Sequence, residues 1–284
     1  MQQQGVVCDF SDGISWVILS PIEQSIKRKI EAAGTPLKDW NINIYRGVLT
    51  GCNDAFIITS AKRDEILSNC KDEDERVRTD ALIRPILRGR DIKRYSYNWA
   101  GLWLINTHNG VQGKIPCVDI NDYPAVKQHL DKYWDKISVR VDRGDTPYNL
   151  RNCAYLEDLS QPKIVWIELS DEPKFAISEL MPLNTVFYLT GERIYDIIGM
   201  LNSAIYKWYF THCIGTRSGV GTNRWLKYTI EQVPLIKHHI EFSHITEKIV
   251  NKKISEELGQ LEIDKKLFNI LDLTDDEIDV IKNY

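Results

Sequence analysis

Short apolar runs of strand length, set irregularly among segments of helical period, constrain this chain more than any other feature. Leu102-Trp103-Leu104-Ile105 reads as a buried strand, and PKIVWIEL (162–169) and NTVFYLT (184–190) hold two more. Between them, YPAVKQHLDKYWDKISVR (123–140) reads as one helix with Pro124 near its start, and residues 191–211 as one apolar helix. Strands and helices that interleave without a repeat argue for an α+β fold with a mixed sheet.

The remaining segments fit that frame. Trp16-Val17-Ile18-Leu19 is an apolar lead-in, and Ser20-Pro21 caps a helix whose Ile22, Ile26 and Ile30 share a face. Gly34 and Pro36 end it. INIYRGVLTGCNDAFIIT (42–59) suggests two strands around a turn at 50–54. Residues 60–70 and 73–87 read as helices, the second with Asp72, Asp74 and Glu75 at its start, Arg84 and Arg88 at its end, and Gly89 as the stop. Residues 215–224 read as a polar loop. Thr274 is an N-cap candidate for a short final helix. The expected organisation is a helical lead-in at 1–39, a recognition body at 40–240 and a helical tail at 241–284.

Composition excludes several classes. With 284 residues, 43% hydrophobic and 27% charged, the chain is neither fibrous nor disordered. No apolar run reaches membrane-spanning length, and the start has no signal-peptide pattern, so a cytoplasmic location is expected. Six scattered cysteines without a CxxC pair suit reduced thiols, and the adjacent His238 and His239 do not share a helical face. The formal charge of −4 is uneven. Residues 241–284 carry 11 acidic residues against 6 Lys, or −5, which leaves +1 for 1–240.

Two stretches concentrate that body's cations. Residues 84–95, RPILRGRDIKRY, hold five basic side chains against Asp91. Guanidinium groups there suit phosphate gripping or guanine reading, and the bland alternative is a solvated helix end. Residues 215–225, GTRSGVGTNRW, combine Gly215, Gly219 and Gly221 with Arg217, Asn223 and Arg224; a surface loop is the alternative. No phosphate-binding P-loop pattern occurs. Asp145-Thr146-Pro147-Tyr148 is close to the D/N/S-P-P-Y/F/W motif of DNA amino-methyltransferases but has Thr in second place, and a Pro-centred turn accounts for it better. Glu172-Pro173-Lys174 has the E-x-K form of metal nucleases, with a proline unsuited to a core strand; it reads as a turn between strands. Trp166, Trp208 and Tyr209 read as core aromatics.

Several motifs together resemble a known family. Residues 47–58 are similar to the G-x-x-T-G-x-N-x-A-F-x-I opening of the TaqI-like C-terminal specificity domain, and 85–95 to its P-x-L-R-G-x-D-I-x-R-Y segment. TPYNLRNCAYLEDLSQPKIVWIELS, LNSAIYKWYF with the following Gly/Arg loop and VPLI, and the LDLTDDEIDVI end resemble its later stretches, across about 40–284. The resemblance implies a target recognition domain of bacterial DNA adenine methyltransferases and fused type II restriction-modification enzymes. It would bind double-stranded DNA without catalysis of its own. S-adenosylmethionine, and magnesium where a nuclease is present, would serve the parent enzyme and not this chain, and the catalytic partner would act in cis or in trans. The chain looks like an excised C-terminal part or a stand-alone specificity polypeptide.

Residue chemistry then assigns Arg88, Arg90, Lys93 and Arg94 to one DNA contact and Arg217, Asn223, Arg224 and Lys227 to a second. Arg46, Thr50 and Asn53 flank the first turn, and Arg143 and Tyr148 a later one. Two other readings stay open: a protein-interaction module built on the tail helices, and a nuclease or methyltransferase fragment. RNA binding lacks an RNP-type aromatic signature.

Overall fold

A computed structural model describes residues 19–217, 222–237 and 241–284. Trp16 to Ile18, Gly219, Gly221, His238 and His239 lie outside the described residues. The first helix forms where the sequence places it. In α1 (Pro21–Ala33), Ser20 Oγ accepts from the Glu23 N–H at 3.4 Å and the Glu23 carboxylate accepts from the Ser20 N–H at 2.7 Å, a reciprocal capping box. Ile26 and Ile30 are fully buried. The chain then enters β1 (Thr35–Pro36), which pairs with β12 (Pro234–Leu235), so both ends of the body meet at once.

Two four-stranded sheets form the body. The first has the order β2 (Ile42–Arg46), β9 (Val186–Gly191), β6 (Lys163–Ile167), β7 (Ala176–Ser178), antiparallel throughout. The second runs β3 (Ile57–Thr59), β5 (Leu102–Ile105), β4 (Ile83–Leu87), β8 (Met181–Pro182), with a parallel pair at β4–β8. The first sheet is the middle layer. Its Ile164, Trp166, Phe187 and Leu189 face a helical layer, while Val165, Val186 and Tyr188 face the second sheet. Strands buried on both sides have no polar face to show, which is why 164–167 and 186–189 read as unbroken apolar runs.

The helical layer joins the two ends of the chain. Ile26 and Ile30 of α1 share one cluster with Ile245 and Ile249 of α10 (Ser243–Val250), Ile263 and Leu267 of α11 (Glu256–Ile270) and Ile281 of α12 (Asp275–Lys282). Thr274 caps α12 in a second capping box, with Glu277 at its third position. The architecture is α+β with mixed sheets, a helical lead-in and a helical tail. Among the described residues, no helix is long and apolar enough to cross a membrane.

Four expectations change. The strands at 42–46 and 57–59 do not pair with each other: β2 joins β9 and β3 joins β5, with a one-turn helix α2 (Asn53–Phe56) between them. The helix expected over 60–70 forms as α3 (Ser60–Ser68), whereas that over 73–87 ends at Leu82 as α4 (Glu73–Leu82), and 83–87 is strand β4. Pro85 has no N–H to continue a helix, and Ile83, Ile86 and Leu87 gain full burial in the second sheet. Arg84 therefore extends from a strand and Arg88 from the turn after it, which removes the helix-end reading. The 123–140 helix splits into α5 (Pro124–Asp131) and α6 (Trp134–Ile137). The 191–211 helix breaks into α7 (Ile194–Leu201) and α8 (Ala204–Tyr209). There Ser203 Oγ caps the new helix on Tyr206 N–H, and the Asn202 amide bonds both backbone groups of Phe175 at 3.0 and 3.2 Å.

Candidate nucleic-acid interface

The end of β6 gathers two of the sequence signals. Glu168 follows that strand, and its carboxylate accepts from Arg224 Nη2 at 2.7 Å and pairs with Arg46 Nη2 at 3.5 Å. Arg46, at the end of β2, also donates through Nε to the Asn184 carbonyl at 2.7 Å, and its guanidinium lies over the Phe187 ring. Arg224 arrives on a ribbon: β10 (Thr216–Arg217) pairs with β11 (Asn223–Arg224), so the expected 215–224 loop has a paired base. Trp225 anchors that ribbon. Its N–H donates to the Glu168 carbonyl at 2.7 Å and its ring stacks on Phe210 at 3.9 Å.

The 84–95 stretch docks beside them. Gly89 is buried, its N–H donates to Thr185 Oγ1 at 3.3 Å, and a Cβ there would press on Ile167 at 3.2 Å. Thr185 follows the Asn184 whose carbonyl holds Arg46, so the 88–91 turn sits at the same edge. Within the turn, Arg88 is spent on a bidentate pair with Asp91 at 2.7 and 2.8 Å. That partner raises its pKa further. Arg90 and Lys93 are exposed, and among the described residues their side chains meet no partner. Arg94 turns inward, with Nη2 donating to the Asn202 carbonyl at 2.8 Å and Nε 3.6 Å from Glu256.

The other candidates stand apart from that edge or are already engaged. Thr50 is buried, donates to Asn53 Oδ1 at 2.6 Å and accepts from the Cys52 N–H at 3.2 Å, which holds the turn before α2. Arg143 donates to the Ser138 carbonyl at 3.0 Å. Tyr148 donates to Asp131 at 2.5 Å, and the Lys127 ammonium lies over its ring. Both are thus held by the α5–α6 segment. Asn223 is buried, with its amide donating to Thr211 Oγ1 at 2.9 Å. Lys227, in α9 (Lys227–Ile230), pairs with Glu231 at 3.6 Å. The Arg217 backbone lies opposite Asn223 in the ribbon, and its side chain is outside the described residues.

Three structural residues were not singled out in the sequence. Glu168 sits where a strand ends, and its pairing with two distant arginines leaves no local trace. Arg151 flanks the same region, 3.6 Å from Asp142. Arg140 is 7% exposed and donates to the carbonyls of Thr50, Asp142, Pro147 and Asn149, over the face of Phe56. It ties the 140–150 loop to the turn at 50. Elsewhere, Glu172 pairs with Lys207 at 2.8 Å beside a buried Pro173, between β6 and β7, and Thr146 Oγ1 donates to Asn149 Oδ1 at 2.5 Å within a turn. Among the described residues, no group of three or more His, Cys, Asp or Glu side chains is placed to hold a metal ion.

A family model, that of the TaqI-like C-terminal specificity domain, matches residues 84–235, over half of the sequence. The chain belongs to this family. The TaqI-like match contains the 84–95 stretch, the turns at 146–151 and the ribbon. A relative, the type II methyltransferase M.PaeR7I of Pseudomonas aeruginosa, is 24% identical over 182 residues, covering 62% of this chain and 29% of the relative. Among solved structures, the type IIL restriction-modification enzyme MmeI in complex with DNA matches with a TM-score of 0.56 at 13% identity, over 86% of this chain and 34% of that one. The type IIG restriction endonuclease BpuSI matches with a TM-score of 0.50 at 13% identity, over 88% and 32%. These likenesses are of fold. This TaqI-like chain spans about a third or less of each of these three proteins.

Proposed function

We propose that this chain is the sequence-specific double-stranded DNA recognition part of a bacterial, cytoplasmic restriction-modification enzyme. Adenine methylation with S-adenosylmethionine, and any magnesium-dependent cleavage, would belong to a catalytic partner in cis or in trans. The observation that carries this reading is convergence. Within a specificity-domain family, three cation groups far apart in sequence, Arg46, the Arg88–Arg90 turn and Arg224, meet at the exit of β6.

Labour divides among them. Arg90 and Lys93, exposed and without a partner among the described residues, suit phosphate contacts that set register. Arg46 and Arg224, oriented by one carboxylate, suit directional readout of a base edge, where each good bidentate pair contributes roughly 1–3 kcal/mol of discrimination. Arg88 and Arg94 shape the turn that presents Arg90. The lead-in at 1–39, the body at 40–240 and the tail at 241–284 then differ in role rather than in core, since α1 and the tail helices pack in one cluster.

Selection of bound duplexes from a randomised pool tests this. Repeated rounds are expected to enrich one recurrent short sequence. A pool that stays random, with the chain alone and with the catalytic partner restored, contradicts it.

A further inference from the structure

A concave site opens beside Arg46, and apart from Arg46 and the Asn184 that holds it, the interface described above does not use its lining. The cleft has a volume of about 450 Å³, in the range of small-ligand pockets. It is lined by two guanidinium groups, Arg46 and Arg151, and by no carboxylate. Asn106, Asn152 and His108 add neutral polar groups, and Leu150 and Leu159 an apolar wall.

Two details make the lining directional. The Gly110 N–H donates to His108 Nδ1 at 3.2 Å, so the neutral ring carries its proton on Nε2 as a hydrogen-bond donor. Burial lowers the His108 pKa, which favours that neutral form. Tyr155 is locked by stacking on Tyr45, with ring centroids 4.1 Å apart and planes 17° from parallel. A rigid aromatic, carboxamides and an imidazole donor match the face and the edge of a planar heterocycle, and guanidiniums match a phosphate.

We propose that this cleft receives one unstacked nucleotide of the bound duplex, with its base among Tyr155, Asn106 and His108 and its phosphate at Arg151. The inference rests on the DNA-recognition reading. A paired base edge in a groove cannot enter a concave pocket, whereas an extruded one can. The unstacking cost is least for a base that has already lost its partner. The expected occupant is therefore an orphan base, such as extrusion of the complementary base by a catalytic partner leaves behind.

The test compares two duplexes of one sequence. In the first, a single 2-aminopurine lies opposite an abasic site; in the second it is paired with thymine. The chain is expected to bind the orphan duplex about tenfold more tightly, a difference of about 1.4 kcal/mol, with a change in 2-aminopurine emission. Asn106→Leu removes the carboxamide from the cleft at nearly constant shape, and among the described residues the Asn106 side chain has no hydrogen-bond partner to lose; the substitution should bring the two affinities together. Arg151→Ala, at the rim, should reduce the preference. Equal affinity of the unmodified chain for both duplexes overturns the cleft proposal and leaves DNA recognition standing. So does a preference that survives Asn106→Leu. Binding to neither duplex overturns both.

Discussion

Arg88 and Arg90 are two residues apart and do opposite work. Arg88 is closed on Asp91, which is 11% exposed at its side chain, so Arg88→Ala strands a carboxylate. A loss of about 1–3 kcal/mol in urea unfolding is expected, the cost of leaving a mostly buried acceptor without its partner. Arg90→Ala should leave stability within about 0.5 kcal/mol, as for exposed sites away from special features, and weaken DNA binding instead. Equal effects of both substitutions on both measurements would contradict this division. Arg140 is the larger stake. Its guanidinium satisfies four carbonyls, and Arg140→Ala should cost more than about 3 kcal/mol in the same assay. Lysine, a single point charge, should not restore it. Sequence could not show this residue, because its pattern is inverted: Val139 and Val141 are 76% and 95% exposed while Arg140 between them is buried. Alternation alone would turn the valines inward. Fixed backbone carbonyls around one guanidinium decide otherwise, and they come from parts of the chain that only the fold brings together.

Elements were legible where local chemistry decides them and illegible where pairing at a distance does. The capped helices α1 and α12 carry their own start signals, and β6 and β9 carry unbroken apolar runs. β4 was hidden because acidic residues at 72–75 start a real helix; Pro85 halts it, and the partners β5 and β8 then take 83–87 as strand. The break between α7 and α8 was hidden for a similar reason: Asn202 serves Phe175, across the fold. Asp196 makes a link of the same kind. Its carboxylate accepts from the Phe242 and Ser243 N–H groups at 2.6 and 2.8 Å, so α7 caps α10. Asp196→Ala is expected to cost about 2–4 kcal/mol and to speed amide exchange first in 241–250. Uniform acceleration throughout the chain would contradict that link. Lys163, at the start of β6, is fully buried, and burial lowers its ammonium pKa to about 8. In the unfolded chain it titrates near 10.4, so between those values the unfolded state holds more protons and stability rises with pH. The difference in unfolding free energy between the chain and Lys163→Met should vary across pH 8–10.4 and be flat below; a pH-independent difference would contradict the buried charge.

For the whole molecule, the two sheets and the helical layer serve to bring one edge together. Composition says only that the chain is slightly acidic; the fold shows that acidic side chains within the body are placed as counter-ions, with Asp91 on Arg88 and Glu168 between Arg46 and Arg224. The motif order pointed to the family and to the two cation stretches. It could not separate Arg90 from Arg88, or Lys93 from Arg94, because neighbouring residues on a turn face opposite ways. If the exposed pair contacts phosphate, binding must carry the signature of counter-ion release. The direct measurement is the affinity of the chain for a selected duplex over a series of salt concentrations, repeated with Arg90 and Lys93 both replaced by Ala. Log affinity is expected to fall linearly with log salt, and the double substitution to reduce that slope by about two. Absent or salt-insensitive binding, or a slope unchanged by the substitution, would contradict DNA recognition through this edge.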